Sequence, residues 1–114
     1  MAVTTKHGKR RMCERAGITS GCAAKMASRI LKNGFRHTDT IGDLRGYLGH
    51  CWAKHHNSNN MRVYGDKLYI YTGERLITVL NIPQNIMQQG MKANLTPEAY
   101  QRYVIRRAQK GKAA

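Results

Sequence analysis

Between Asn60 and Pro83 the chain alternates apolar and polar side chains with a period of two, interrupted twice by a glycine followed by an acid (NMRVYGDKLYIYTGERLITVLNIP). The pattern predicts three strands joined by two-residue turns at Gly65-Asp66 and Gly73-Glu74. Turns of that length fix the registers. Tyr64 then opposes Lys67, Val63 opposes Leu68, Arg62 opposes Tyr69 and Met61 opposes Ile70. Across the second turn Thr72 opposes Arg75, Tyr71 opposes Leu76, Ile70 opposes Ile77, Tyr69 opposes Thr78 and Leu68 opposes Val79. One face carries Met61, Val63, Leu68, Ile70, Ile77 and Val79 and is the expected core face. The other carries Arg62, Tyr64, Lys67, Tyr69, Tyr71 and Thr78, with Leu76 and Leu80 at its sides.

Elsewhere the apolar positions recur at helical spacing. A helix from Thr5 to Ala16 places His7, Arg11 and Arg15 on one face. Met12 and Ala16, with Ile18 beyond, would dock it, and Gly17 is a natural stop. Thr19 or Ser20 can cap a second helix reaching Asn33, with Gly34 at its end. Its stripe is Ala23, Met26, Ala27, Ile30 and Leu31. After a connector from Phe35 to Thr40, a third helix is expected from Ile41 to His55. Ile41, Leu44, Leu48 and Trp52 would be buried, and Gly42, Gly46 and Gly49 weaken the helix. Pro83 ends the last strand, and residues 84–94 suit one helical turn or an irregular connection. Thr96-Pro97-Glu98 starts a last helix to about Gln109, with Tyr100, Tyr103 and Val104 available for packing.

The fold expected is therefore α+β: N-terminal helices, a three-stranded antiparallel meander with room for a fourth strand, and a C-terminal helix. A chain of 114 residues makes one domain, residues 1–114, and the ends at 1–5 and 110–114 are expected to be loose.

Charge changes the picture most. Twenty Lys and Arg stand against six Asp and Glu, a formal net charge of +14. That excess points first to nucleic acid. Two clusters stand out, Lys6, Lys9, Arg10, Arg11 and Arg15 near the start and Arg102, Arg106 and Arg107 near the end. No apolar run approaches the roughly 18 residues of a spanning helix, so no membrane partner and a cytoplasmic location are expected. Cys13, Cys22 and Cys51 lack paired spacing and read as reduced thiols.

His50-Cys51-x-x-x-His55-His56 has two metal-binding residue types at i, i+4. It would need a further ligand such as His37 or Cys22, and a polar helix end is the better reading, so neither metal nor cofactor is expected. No phosphate loop, dinucleotide fingerprint or carboxylate pair is present. The chemistry left open is metal-free RNA cleavage, in which a base takes the 2′-OH proton and an acid protonates the leaving oxygen. His7, or in reserve His37, suits proton transfer. Arg11 and Arg62 suit phosphate, and Tyr69 and Thr78, in one row with Arg62, can donate to it. Lys6, Lys9, Arg10, Arg15, Lys67, Arg102, Arg106 and Arg107 would grip the RNA backbone.

His7-x-x-x-Arg11-Met12-x-x-Arg15-x-Gly17-Ile18, with Leu76-Ile77-Thr78-Val79-Leu80 later, resembles short bacterial and phage proteins of the barnase–EndoU–colicin–RelE superfamily. The resemblance implies an N-terminal helical region before a curved antiparallel sheet, and endoribonuclease toxin activity. It places His7, Arg11, Arg62 and Thr78 where that superfamily carries chemistry. Implied partners are RNA and a protein antitoxin or immunity protein in a bacterial host. The alternative is a non-enzymatic anti-defence inhibitor that binds RNA or a host nucleoprotein effector.

Overall fold

The computed structural model describes residues 2–55 and 60–113, and its architecture is α+β. Helices α1 (Lys6–Ala16), α2 (Ala23–Asn33) and α3 (Gly42–Lys54) precede strands β2 (Asn60–Tyr64), β3 (Lys67–Thr72) and β4 (Arg75–Asn81). Two one-turn helices, α4 (Gln84–Met87) and α5 (Met91–Asn94), lead to α6 (Pro97–Ala113). Short 3-10 turns span Ser20–Cys22 and His37–Asp39. The N-terminal segment is not the loose tail expected: Val3–Thr4 forms a strand, β1, parallel to β4 at the sheet edge. Likewise α6 continues to Ala113, past the point where a loose end was expected.

The sheet order is β1-β4-β3-β2, and β2, β3 and β4 form the expected antiparallel meander. Gly65 and Gly73 both take positive φ (63° and 60°), the left-handed conformation that tight hairpin turns demand. The β2/β3 register is the one read from the sequence, with Arg62 opposite Tyr69. The β3/β4 register starts as expected at Thr72–Arg75 and Tyr71–Leu76, then slips by one residue. Ile70 pairs with Thr78, Tyr69 with Val79 and Leu68 with Leu80. Ile77 is thus the extra residue of a bulge, which redirects everything after it.

The bulge lets β4 serve two cores. Met61, Val63, Leu68 and Ile70 pack with Leu44 and Leu48 of α3 and with Ile82, Ile86, Leu95 and Ala99. On the opposite face Tyr69, Tyr71, Leu76 and Val79 pack against Met12, Ala23, Ala27 and Ile30 of α1 and α2. The face read as open is therefore the floor of a second core. The free edge of β2 is covered as well, because Phe35 and Val63 exchange both backbone hydrogen bonds (2.8 Å each).

Thr5 caps α1 by accepting from the Gly8 amide, and Gly17 (φ 67°) closes its far end. Gly8 itself lies so close to β4 that a Cβ there would strike the Leu76 carbonyl. Trp52, expected in the buried stripe, is 45% exposed, and Val104, which was available for packing, is 44% exposed. Cys51, one residue earlier on α3, takes the buried position instead.

Candidate nucleic-acid interface

Arg62, Tyr69 and Thr78 do not form a solvent-facing row. Thr78 lies beside Ile70 and is itself 7% exposed; Val79 takes its place opposite Tyr69. Tyr69 is 3% exposed under α1 and α2, and burial, with Asp66 next, pushes its phenol up to about 12. Arg62 is 6% exposed and turns its Nε and Nη1 into the protein. Its Nε donates to the Leu31 carbonyl (2.8 Å), and its Nη1 donates to Asn60 Oδ1 and the Met61 carbonyl (2.8 Å each). Burial, and then the nearby Arg36, pull its pKa below the ordinary arginine value. This is a helix-end clamp. Phe35 N, which would continue α2 onto Leu31, donates to Val63 instead, and the guanidinium fills the vacancy.

His7 and Arg11 do share a face of α1, where Arg11 Nε donates to His7 Nε2 (3.4 Å) and its Nη1 pairs with Glu14 (2.9 Å). Arg15 is engaged too, donating to the Val79 carbonyl (2.7 Å), and Lys67 pairs with Asp66 (2.9 Å). Lys6, Lys9 and Arg10 are exposed on α1. His37 sits on its 3-10 turn beside a small pocket of about 260 Å³ that Arg36, Trp52 and Arg62 also border. Of the six candidate catalytic side chains, only His7–Arg11 and Arg62–Tyr69 are thus brought together as pairs, with His37 near Arg62.

Four cations come together elsewhere, where α6 meets the end of α2. A cleft of about 320 Å³ is lined there by Lys32, Arg36, Arg102 and Arg106. Its single carboxylate, Asp39, is already held by Arg102 Nη2 and by the Arg36 amide (2.9 Å each). Arg106 Nη1 donates to the Asn33 carbonyl (2.8 Å) while its guanidinium lies 5.8 Å from the centre of the Phe35 ring. That contact fixes α6 against α2 and holds the cation at the rim.

Comparison with family models, with curated proteins and with solved structures returned no match.

Phe35 and Arg106 also border a second, larger groove of about 730 Å³ between α6, the β2–β3 turn and α4–α5. Tyr64, Tyr100 and Tyr103 line it, with Lys92 and Arg107 on its rim. Tyr100 and Tyr103 lie 6.1 Å apart, and Arg107 lies over the Tyr103 ring at 5.6 Å. Sequence reasoning named Arg102, Arg106 and Arg107 as cations but missed their aromatic neighbours as a group. A signal was present: Tyr100, Tyr103 and Arg107 follow i, i+3, i+7 spacing on one helix. Lys32, Arg36 and Lys92 carried none, because only the tertiary fold brings them to α6.

Among the described residues no group of three or more His, Cys, Asp or Glu side chains is arranged to hold a metal ion. Cys51 is buried in the α3 core cluster, and His56 of the His50–His56 pattern lies outside the described residues. No described helix is long and apolar enough to cross a membrane.

Proposed function

We propose that the protein binds single-stranded RNA through the basic cleft between α2 and α6. The observation that carries this reading is the cleft itself, four cationic side chains converging around one carboxylate that already has its partners. Phosphodiester oxygens match such a cleft, because guanidinium forks suit them better than any neutral ligand. The chain as a whole carries fourteen more cations than anions, which adds long-range attraction for a polyanion. Lys6, Lys9 and Arg10 on α1, and Lys25 and Arg29 on α2, extend the positive surface. An RNA partner is also what the resemblance to the ribonuclease-toxin superfamily implies.

Catalysis is the second reading, favoured by one observation: His37, Arg36 and Arg62 border a common pocket. In the row Arg62–Tyr69–Thr78 the Arg62 Nε and Nη1 donate to protein oxygens and Tyr69 and Thr78 are buried, so binding is the better supported activity.

Competition binding tests both. Labelled single-stranded RNA is mixed with protein in EDTA and challenged with unlabelled RNA, single-stranded DNA and duplex DNA. RNA should compete best and emerge intact. Preference for duplex DNA would overturn the proposal. Cleavage leaving 2′,3′-cyclic phosphate ends, lost in His37→Ala, would establish the second reading instead.

A further inference from the structure

We infer that the aromatic groove beside the basic cleft is a stacking subsite for unpaired nucleobases, an inference that rests on the cleft holding an RNA backbone. The two cavities are neighbours: Phe35 and Arg106 line both. A strand whose phosphates lie along Lys32, Arg36 and Arg102 has Tyr100 and Tyr103 within the next cavity along its path. At about 730 Å³ the groove is within the size range of ligand sites.

Its chemistry matches flat aromatic rings carried by an anion. Tyr64 and Tyr100 are half-buried, so each is held by packing while part of it stays accessible. Arg107 already lies across Tyr103 and donates to its hydroxyl (3.0 Å), which orients both side chains before any ligand arrives. Met87 and Met91 line the groove too, soft surfaces that adapt to different bases. The rim charge is positive: Lys92, Arg106 and Arg107 face one acid, Asp66, which Lys67 already pairs. A purely apolar partner would leave those cations unmatched; a phosphodiester-linked base meets both rim and floor. Stacking on tyrosine accepts any base, so the groove confers preference for single strands with little sequence selectivity. Bases inside a duplex, whose faces are covered by their stacked neighbours, are excluded.

The test uses fluorescence anisotropy with a labelled single-stranded RNA, the same strand with abasic sites, and a matching duplex. Wild-type protein is compared with Tyr64→Leu/Tyr100→Leu and with Lys32→Gln/Arg36→Gln. Wild-type affinity should fall about tenfold or more for the abasic strand, and the tyrosine variant should lose that discrimination. The Lys32→Gln/Arg36→Gln variant should bind intact and abasic strands more weakly by the same factor. Equal affinity of wild type for intact and abasic RNA overturns the stacking subsite while leaving the cleft reading in place. The subsite is equally overturned if the tyrosine variant, folded by thermal melting, keeps full discrimination. Absence of wild-type RNA binding at low salt overturns the cleft reading itself. The abasic comparison is made on wild-type protein, so it decides even if the leucine variant does not fold.

Discussion

Arg62 is either an internal clamp or a phosphate ligand, and Arg62→Met separates the two. Methionine keeps much of the aliphatic stem and removes the guanidinium. The Leu31 carbonyl then loses its Nε–H donor, and Met61 O and Asn60 Oδ1 lose theirs. Hydrogen bonds from a charged donor are worth about 1.5–3 kcal/mol each, and a buried carbonyl left bare costs about 1–3 kcal/mol. Relief of the buried charge offsets part of this, consistent with the lowered Arg62 pKa. A net loss of about 2–4 kcal/mol is expected, or roughly 8–15 °C in melting temperature for a domain of this size. Arg62→Lys should recover little, since an ammonium cannot reproduce the fork. The assay is thermal unfolding by circular dichroism, paired with RNA binding measured well below the lowered midpoint. RNA affinity of the folded variant should be unchanged. An unaltered melting temperature together with lost RNA binding or cleavage would refute the clamp and return Arg62 to the functional surface.

Further outcomes follow from packing and from the buried phenols. Gly8→Ala should destabilise by about 1–3 kcal/mol despite alanine's helix propensity, because the new methyl meets the Leu76 carbonyl. Gly46→Ala and Gly49→Ala, exposed in α3 with open space at the Cβ position, should each stabilise by about 0.5–1 kcal/mol. Equal shifts at all three glycines would contradict the α1–β4 contact. Burial raises the phenol pKa values of Tyr69, to about 12, and of Tyr47 and Tyr71. Unfolded tyrosine ionises near pH 10, so between about pH 10 and 12 the unfolded state holds fewer protons and stability falls as pH rises. Alkaline titration by phenolate absorbance should show Tyr69 and Tyr71, two of the six tyrosines, resisting ionisation until the fold is lost. Uniform ionisation near pH 10 with the fold intact would contradict their burial.

Much of the sheet was legible because its constraints are local. Gly65 and Gly73 announce the turns, and once the turns are two residues long the β2/β3 register has no freedom. The bulge at Ile77 left no such mark. Leu76, Ile77, Thr78, Val79 and Leu80 all suit a strand in either register, and the slip is decided by cores on both faces of β4. The same cause misdirected the candidate site. Tyr69, Tyr71 and Arg62 read as surface residues from their polar tips, yet each has a body that packs beneath the helices. Tyr71 shows this directly, its hydroxyl donating to the Ala27 carbonyl (2.8 Å) beneath α2. The basic character of α6 was visible in its arginines. The cleft they complete was not, because Lys32 and Arg36 join them across more than sixty residues of chain.

A cationic cleft that holds the backbone of single-stranded RNA must release counterions as it binds, so affinity must fall with added salt. Equilibrium affinity for a single-stranded RNA is measured in EDTA from about 50 to about 200 mM monovalent salt, for wild type and for Lys32→Gln/Arg36→Gln. If about five phosphates are engaged, wild-type affinity should fall roughly 100-fold over that range, and the variant should show a shallower slope. Binding that ignores salt, or a slope untouched by the variant, would contradict an RNA backbone lying in the α2–α6 cleft.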